Sequence, residues 1–265
     1  MSRRTTVLAC LVTSTVLILI PAAPAAAAAD DIDYIAMGDS YSSGVGAPGQ
    51  AGLCLRSSRS YTTQWAARND PASYRTVACG GAKTGDVLSR QVPYLNGSTD
   101  LITITIGGND AGFADTVISC TFGSDSTCLA KINQARDRIT GTLPGALDRT
   151  YRAIREKAPN ARVFVMGYPR LFDVSRPVCL TTGMSLTKRR ALNAGADDLA
   201  GIIADRAAAA GFTFVDVRDD FQGHGACATS PWINGLTILP PTDSFHPNTA
   251  GYTNGYLPAM AAAVD

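Results

Sequence analysis

The side chains best suited to covalent chemistry are a serine near the start of the chain and a histidine near its end. Ser40 stands in the run Gly-Asp-Ser-Tyr-Ser directly after an apolar segment, and His246 follows Asp243 by three residues. A serine at a tight turn before a helix exposes its hydroxyl and sets its N–H at the positive helix end. Histidine is the usual general base for such a hydroxyl, and a nearby acid can orient its ring. An ordinary helix N-cap would explain Ser40 equally well.

The chain has only two histidines, which narrows the choice of general base. The competitor is His224, which stands between two glycines beside Cys227 and has no acid at the spacing that Asp243 has to His246. We therefore favour His246 as the base. Two histidines also make a multi-histidine metal site very difficult to build, so we expect neither a metal nor a cofactor.

Two further turns could supply the hydrogen-bond donors that an acyl-transfer reaction needs. Gly80 and Gly81 are adjacent, and adjacent glycines let main-chain N–H groups approach a ligand closely. Asn109 follows two glycines and could direct its side-chain amide over the same region. Each turn, taken alone, is equally consistent with a plain loop.

The elements that must position these residues follow an alternating pattern. Five short apolar runs predict strands, and the segments between them carry apolar residues at helical spacing, which predicts right-handed β-α-β units and a parallel sheet in one α/β domain. Functional residues of such sheets follow the strands directly, as Ser40, Gly81 and Asn109 do. The predicted strands are residues 32–37, 74–78, 101–106, 162–166 and 212–217, and the predicted helices are 130–157 with a break near 141–144, 185–210 and 249–262.

The charge balance bears on the class of partner. The 265 residues include 23 basic and 22 acidic side chains, which gives a net charge of +1. Without a basic excess the chain cannot neutralise many phosphates, so we expect no nucleic-acid partner. The composition, with 46% hydrophobic and 17% charged residues, is typical of a globular domain.

The first 29 residues have the pattern of a secretory signal peptide. Arg3 and Arg4 precede an apolar stretch over residues 7–20, and the alanines of residues 24–29 offer cleavage sites. The stretch is shorter than the roughly 20 residues of a membrane span. We therefore expect a secreted, extracellular protein without stable membrane insertion, whose single domain is residues 30–265.

Removal of the signal peptide would leave six cysteines, and an even number in a secreted chain indicates disulfides. Six cysteines allow 15 connectivities, so sequence alone leaves the pairing open. The simplest arrangement joins nearest neighbours: Cys54–Cys79, Cys120–Cys128 and Cys179–Cys227.

Taken together, the motifs resemble the SGNH (GDSL) hydrolase family. Gly38-Asp39-Ser40 resembles its first block, Gly81 the second, Gly108-Asn109-Asp110 the third and Asp243-x-x-His246 the fifth. The extended runs GDSYSSGVG and GGNDAGFAD, with six cysteines, look closer still to the secreted actinobacterial branch of lipases, phospholipases A1 and esterases. The resemblance covers nearly the whole chain after residue 29.

The resemblance implies a three-layer α/β/α, flavodoxin-like fold with a five-stranded parallel sheet, and hydrolysis of carboxylic esters through an acyl-enzyme. It makes Ser40 the nucleophile and His246 the base, and it places the N–H groups of Ser40 and Gly81 and the Asn109 amide in the oxyanion hole, with Gly80 as an alternative to Gly81. It also strengthens the nearest-neighbour disulfide pairing.

Three questions stay open in the sequence. Either Asp243 or a main-chain carbonyl near Ser244 could orient His246, and we expect Asp243. The substrate could be a lipid or another acyl ester, with a carbohydrate deacetylase and an inactive binding protein as alternatives. Val45, Phe113 and Phe122 could line an acyl groove or belong to the core. We expect a monomer.

Overall fold

The computed structural model describes residues 31–264, so the predicted signal peptide lies outside the described residues. A parallel sheet of five strands forms the centre: β1 (Asp33–Gly38), β4 (Ser73–Thr76), β5 (Leu101–Thr105), β6 (Arg162–Met166) and β7 (Thr213–Val215). Their spatial order is β4-β1-β5-β6-β7, and all neighbours are parallel. This is the expected α/β fold with the strand order of flavodoxin-like sheets.

The central strand, β5, is buried and pairs with β1 beside the site. All five residues of β5 are buried, and its β-branched and leucine side chains cover both faces, as expected of a strand with helices above and below. It pairs with β1 from Tyr34↔Leu101 to Gly38↔Thr105. The carboxyl ends of the two strands therefore meet at one edge of the sheet, directly before Ser40 and Asn109.

Helices cover both faces of the sheet. On one face α2 (Tyr61–Asn69) packs beside α9 (Leu257–Val264), and on the other α6 (Asp125–Gly141), α7 (Leu143–Lys157) and α8 (Leu186–Ala209) pack together. Both α8 and α9 contact β6 and β7. Between β5 and α6 lie the short α4 (Gly108–Ala111) and α5 (Phe113–Phe122), while α1 (Ser40–Ser43) and α3 (Thr84–Asp86) follow β1 and β4.

The predicted elements agree with the structure where periodicity is strong. The five strands lie within a residue or two of the predicted runs, and the 130–157 segment does contain two helices that break at Thr142. Helix α2 was not predicted because its threonines and mixed polarity give no clear apolar stripe. Its start is set by Ser60, whose hydroxyl accepts a hydrogen bond from the Thr63 N–H at 3.3 Å.

Three disulfides connect loops to this framework, and they are the nearest-neighbour pairs. Cys54–Cys79 joins a short antiparallel ribbon, β2 (Gln50–Ala51) and β3 (Arg56–Ser57), to the turn after β4. Cys120–Cys128 joins α5 to α6, and Cys179–Cys227 joins the loops that follow β6 and β7.

Within residues 31–264, none of the helices combines the length and apolar character needed to cross a bilayer.

Candidate active site

The turn that carries Ser40 is built by close packing at the end of β1. Gly38 has φ of +117°, and a Cβ there would collide with the main chain of Thr105, so only glycine fits. Asp39 then caps α1, because its Oδ1 accepts hydrogen bonds from the Tyr41 N–H at 3.0 Å and the Thr105 hydroxyl at 2.8 Å. Ser40 is the first residue of this helix, so its N–H is unused by the helix itself.

The C-terminal loop brings His246 to this turn from 206 residues away. The Nε2 atom of His246 lies 2.8 Å from the Ser40 Oγ, which is hydrogen-bond distance. Phe245, just before it, is buried and has φ of 61°, a conformation that is uncommon for a bulky residue. The Tyr41 hydroxyl donates to the Phe245 carbonyl at 2.8 Å and holds this bend in place.

The other ring nitrogen of His246 faces a main-chain carbonyl. Nδ1 lies 3.0 Å from the Ser244 carbonyl oxygen, which fixes the tautomer with a proton on Nδ1 and a lone pair on Nε2. The sequence predicts Asp243 for this contact, but the Asp243 Oδ1 instead accepts a hydrogen bond from the Gln50 Nε2 at 2.7 Å. The bend at Phe245 turns the Ser244 carbonyl, rather than the Asp243 side chain, toward the ring.

Burial disfavours the protonated, positively charged form of the His246 ring. It lowers the pKa of His246 from its ordinary value of 6.5 to about 4, and the Ser244 carbonyl and the Asp243 charge counteract this only in part. At neutral pH the imidazole is therefore uncharged and can accept a proton from Ser40.

The predicted donors of the oxyanion hole lie on two turns that are joined to each other. The Asn109 Nδ2 donates to the Ala82 carbonyl at 3.0 Å, which uses one of its two protons and fixes the amide plane. Asp110 accepts a hydrogen bond from the Thr84 hydroxyl at 2.6 Å. These bonds hold the turn after β5 against the turn after β4.

The two glycines of the second turn differ in availability. The Gly80 N–H already donates to the Cys54 carbonyl at 3.0 Å. Gly81 has φ of +79°, and a Cβ built there would meet no atom within 4 Å, so this turn faces open space. The geometry favours Gly81 over Gly80 as a donor.

Tyr168 was missed by sequence reasoning and joins the nucleophile turn to the Asn109 turn. Its buried hydroxyl donates to the Asp39 Oδ2 at 2.5 Å and accepts from the Gly108 N–H at 3.2 Å. Burial raises the pKa of Asp39 to about 6, and the hydrogen bond from Tyr168 counteracts part of that rise. Tyr168 follows the end of β6, so the rule that functional residues follow strands could have found it.

An apolar pocket opens beside Ser40 and Asn109. Its cavity volume is about 80 Å³, and it runs between α5, α6 and α8. Of the three residues named as groove candidates, Phe113 lines it, whereas Val45 is in the core and Phe122 is 76% exposed. The deeper lining is aliphatic: Val117, Ile132, Ile139, Leu192, Leu199.

The second histidine has a different environment. The His224 ring stacks on Trp232 with 3.7 Å between ring centroids, and its Nδ1 lies 2.8 Å from the Ser230 carbonyl. These contacts give His224 a packing role in the loop after β7.

Comparisons with known proteins agree with this geometry. Residues 36–253 match the model of the GDSL-like lipase/acylhydrolase family. Lipase 1 of Streptomyces coelicolor is 49% identical over 240 residues, which cover 89% of this chain and 88% of that protein. The lipase of Streptomyces rimosus is 46% identical over 262 residues, 95% of this chain and 97% of that protein.

Solved structures give the same result. The crystal structure of phospholipase A1 from Streptomyces albidoflavus NA297 has a TM-score of 0.84 at 44% identity and covers 86% of this chain and 98% of its own. That of the extracellular lipase from Streptomyces rimosus has a TM-score of 0.84 at 47% identity and covers 88% and 99%. The chain therefore belongs to the GDSL-like lipase/acylhydrolase family and is a carboxylic ester hydrolase.

Proposed function

We propose that the protein is a secreted serine lipase that hydrolyses lipid acyl esters, phospholipids among them, through an acyl-enzyme on Ser40. The observation that carries this proposal is the 2.8 Å contact between Ser40 Oγ and His246 Nε2 at the mouth of an apolar pocket. The similarity to a phospholipase A1 and to lipases supports the substrate class.

The reaction follows from the positions of these groups. His246 Nε2 takes the Ser40 proton while Oγ attacks the ester carbonyl, and the new oxyanion accepts hydrogen bonds from the Ser40 and Gly81 N–H groups and the free Asn109 proton. The imidazolium then protonates the leaving alkoxide, and the acyl group stays on Ser40. Water, activated by the same nitrogen, releases the carboxylic acid and restores both side chains.

We propose a Ser40–His246 dyad in which the Ser244 carbonyl orients the ring in place of an acidic side chain. The 3.0 Å distance from Nδ1 supports this role, because a carbonyl accepts the Nδ1 proton and stabilises the imidazolium as it forms. Asp243 acts from farther away, since its negative charge raises the pKa of His246.

Asp243→Asn tests the dyad by its pH profile. We expect kcat at pH 7 to stay within about threefold of wild type, since the ring keeps its carbonyl partner. The acidic limb of kcat/KM, which falls below about pH 4 as His246 becomes protonated, should move to lower pH, because the charge that raised the His246 pKa is gone. Asp137→Asn on the exposed side of α6 is the control. A loss of about 10³-fold in Asp243→Asn would restore Asp243 as a catalytic residue.

Tyr168 serves as a positioning residue, because its hydroxyl is engaged by both Asp39 and Gly108. We expect Tyr168→Phe to lower kcat by about 10- to 100-fold with little change in KM, since small displacements of the Asn109 turn weaken transition-state contacts selectively. Chemical denaturation should show that the variant is folded, and Tyr94→Phe on the surface is the control. A rise in KM that matches the fall in kcat/KM, with kcat unchanged, would indicate a substrate-binding role.

The pocket supports long acyl chains over acetyl groups. Its lining is mainly aliphatic and offers few partners to sugar hydroxyls, whereas each buried methylene of an acyl chain contributes about 0.8 kcal/mol. The direct test is activity on p-nitrophenyl esters from acetate to palmitate and on a phosphatidylcholine. A medium-to-long chain optimum supports the proposal, acetate alone indicates a deacetylase, and no turnover by the disulfide-bonded protein indicates a binding protein.

Ala196→Phe should change the chain-length preference. Ala196 lines the pocket from α8, one residue after Gly195, so a phenyl ring there would occupy part of the acyl space. We expect kcat/KM for palmitate to fall about tenfold relative to acetate, while acetate turnover stays near wild type. Gly195→Ala is the matched control, since its added Cβ meets Ile132 only at 3.9 Å. An unchanged ratio would place the acyl chain elsewhere.

We also propose that residues 1–29 are removed on export and that residues 30–265 form one monomeric, extracellular catalytic domain. The three disulfides support an oxidising compartment, and one of the similar structures is of an extracellular lipase. Intact mass and N-terminal sequence of the secreted protein test the cleavage, and light scattering tests the monomer.

A further inference from the structure

The most exposed apolar side chains lie on a few segments that are linked to the active site. Among the described residues, seven large hydrophobic side chains are more than half exposed, and Leu53 (101%), Leu180 (92%) and Leu239 (86%) are the extremes. All seven lie on four segments that are linked to the active site through hydrogen bonds, a disulfide or the helix that lines the pocket: Leu53, Ile118, Phe122, Val178, Leu180, Ile238, Leu239. We refer to these seven residues as the docking face.

The ribbon that carries Leu53 is connected to the site at two points, one on each side of Leu53. The Gln50 side chain donates to Asp243 at 2.7 Å, and Cys54 forms a disulfide with Cys79, directly before Gly80. Leu53 therefore projects from a segment fixed between the histidine loop and the oxyanion turn.

The loops that carry Leu180 and Leu239 are joined to each other and to the histidine. The Leu236 N–H donates to the Thr181 carbonyl at 2.9 Å. The Thr237 N–H donates to the Ser244 hydroxyl at 2.9 Å, two residues before His246.

Helix α5 carries two further side chains of the docking face. Phe113 at its start lines the pocket, and its ring centroid lies 6.4 Å from that of His246. Ile118 and Phe122, four residues apart, lie on its exposed side.

The opposite edge of the sheet presents polar loops. The turns before β5 and β6 expose Asn96, Ser98 and Asn160. The asymmetry matters because isolated exposed apolar residues are common on any protein, whereas a set confined to segments linked to the active site indicates an interaction surface.

We propose that the docking face seats the enzyme on the surface of an aggregated lipid, and this inference rests on the proposed lipid substrate. Helix α5 carries Ile118 and Phe122 of the docking face and also lines the apolar pocket through Phe113 and Val117, so lipid held at this helix would lie next to the pocket. The side chains project separately from a ribbon, two loops and a helix. Separate protrusions suit a fluid that surrounds each one better than a preformed protein groove.

Vesicle binding without hydrolysis tests the proposal. Ser40→Ala protein would be sedimented with phosphatidylcholine vesicles, alone and combined with Leu180→Asp/Leu239→Asp. The matched control, Ser98→Asp/Asn160→Asp, adds the same charge at the polar edge. We expect the first pair to weaken binding by about tenfold or more and the control pair to leave it unchanged. In active protein that keeps Ser40, Leu180→Asp/Leu239→Asp should leave kcat/KM for soluble p-nitrophenyl butyrate within about twofold of the wild-type value.

The outcomes separate this inference from the proposed function. Turnover of the soluble ester without vesicle binding, or equal binding by both charge pairs, overturns the docking face and leaves the esterase intact. Vesicle binding that depends on Leu180 and Leu239 supports the docking face even if the ester is not hydrolysed. A dimer in solution that Leu180→Asp/Leu239→Asp dissociates would show that a second copy, not lipid, covers the face.

Discussion

Ser40→Ala should lower kcat/KM for a soluble p-nitrophenyl ester by about 10⁴- to 10⁶-fold. The alanine removes the oxygen that lies 2.8 Å from His246 Nε2, so no acyl-enzyme can form there. The neighbouring Ser42 hydroxyl cannot replace it, because its Oγ is buried and bonds to Thr105 Oγ1 at 2.8 Å.

His246→Ala should cost nearly as much, and the two losses should not add. Nucleophile and base act as one unit, so removing the second after the first changes little. The double variant should therefore retain about the same residual rate as either single variant. Steady-state kinetics with thermal unfolding as a fold check measures this, and Ser98→Ala is the matched surface control.

Two results would contradict the assignment. If Ser40→Ala kept more than about one per cent of wild-type activity, another nucleophile would be responsible. If the two single losses multiplied in the double variant, Ser40 and His246 would act in separate steps. A burst of p-nitrophenol in wild type, absent in Ser40→Ala, would support the acyl-enzyme directly.

The parts of the candidate site that the sequence predicts are those that depend on side-chain type in local turns. Ser40 and Asn109 could be found because each follows an apolar strand and stands beside glycines that the turn requires. Alternating strands and helices predict a parallel sheet, and sites of such sheets lie at the carboxyl ends of the strands, so that edge of the sheet could be predicted as the site.

The partner of His246 Nδ1 could not be predicted in the same way. Every residue has a main-chain carbonyl, so residue type does not indicate which one contacts the ring. Asp243, three residues before His246, is identified as an acid by its residue type. The choice depends on the φ of 61° at Phe245, which is held by the Tyr41 hydroxyl from the opposite end of the chain. Long-range contacts of this kind are outside what periodicity and spacing report.

The docking face could not be predicted from the sequence for a related reason. Leu180 and Leu239 occur in loops rich in proline, threonine and glycine, where apolar residues carry no periodic signal. Only the folded structure, in which the Leu236 N–H donates to the Thr181 carbonyl, joins the two loops that carry these exposed side chains.

Asn109→Ala should lower kcat by about 10²- to 10³-fold and leave KM nearly unchanged. The Asn109 amide has two protons, and the bond to the Ala82 carbonyl at 3.0 Å uses one of them and fixes the direction of the other. A donor held in this way needs no reorganisation when the carbonyl oxygen gains charge, so its contribution of about 3–4 kcal/mol belongs to the transition state. Ground-state binding, which relies on the apolar pocket, should be unaffected.

Asn109→Asp provides the sharper comparison, because the side chains have nearly the same shape. A carboxylate replaces the donor by an acceptor and repels both the oxyanion and the Ala82 carbonyl, so the aspartate variant should be slower than the alanine variant. Burst kinetics on p-nitrophenyl butyrate measures acylation in both, and Asn133→Ala on the exposed side of α6 is the control. If Asn109→Ala raised KM and kept kcat, the amide would bind the substrate rather than the oxyanion. If both variants only lowered the unfolding temperature, its bond to Ala82 would be its whole role.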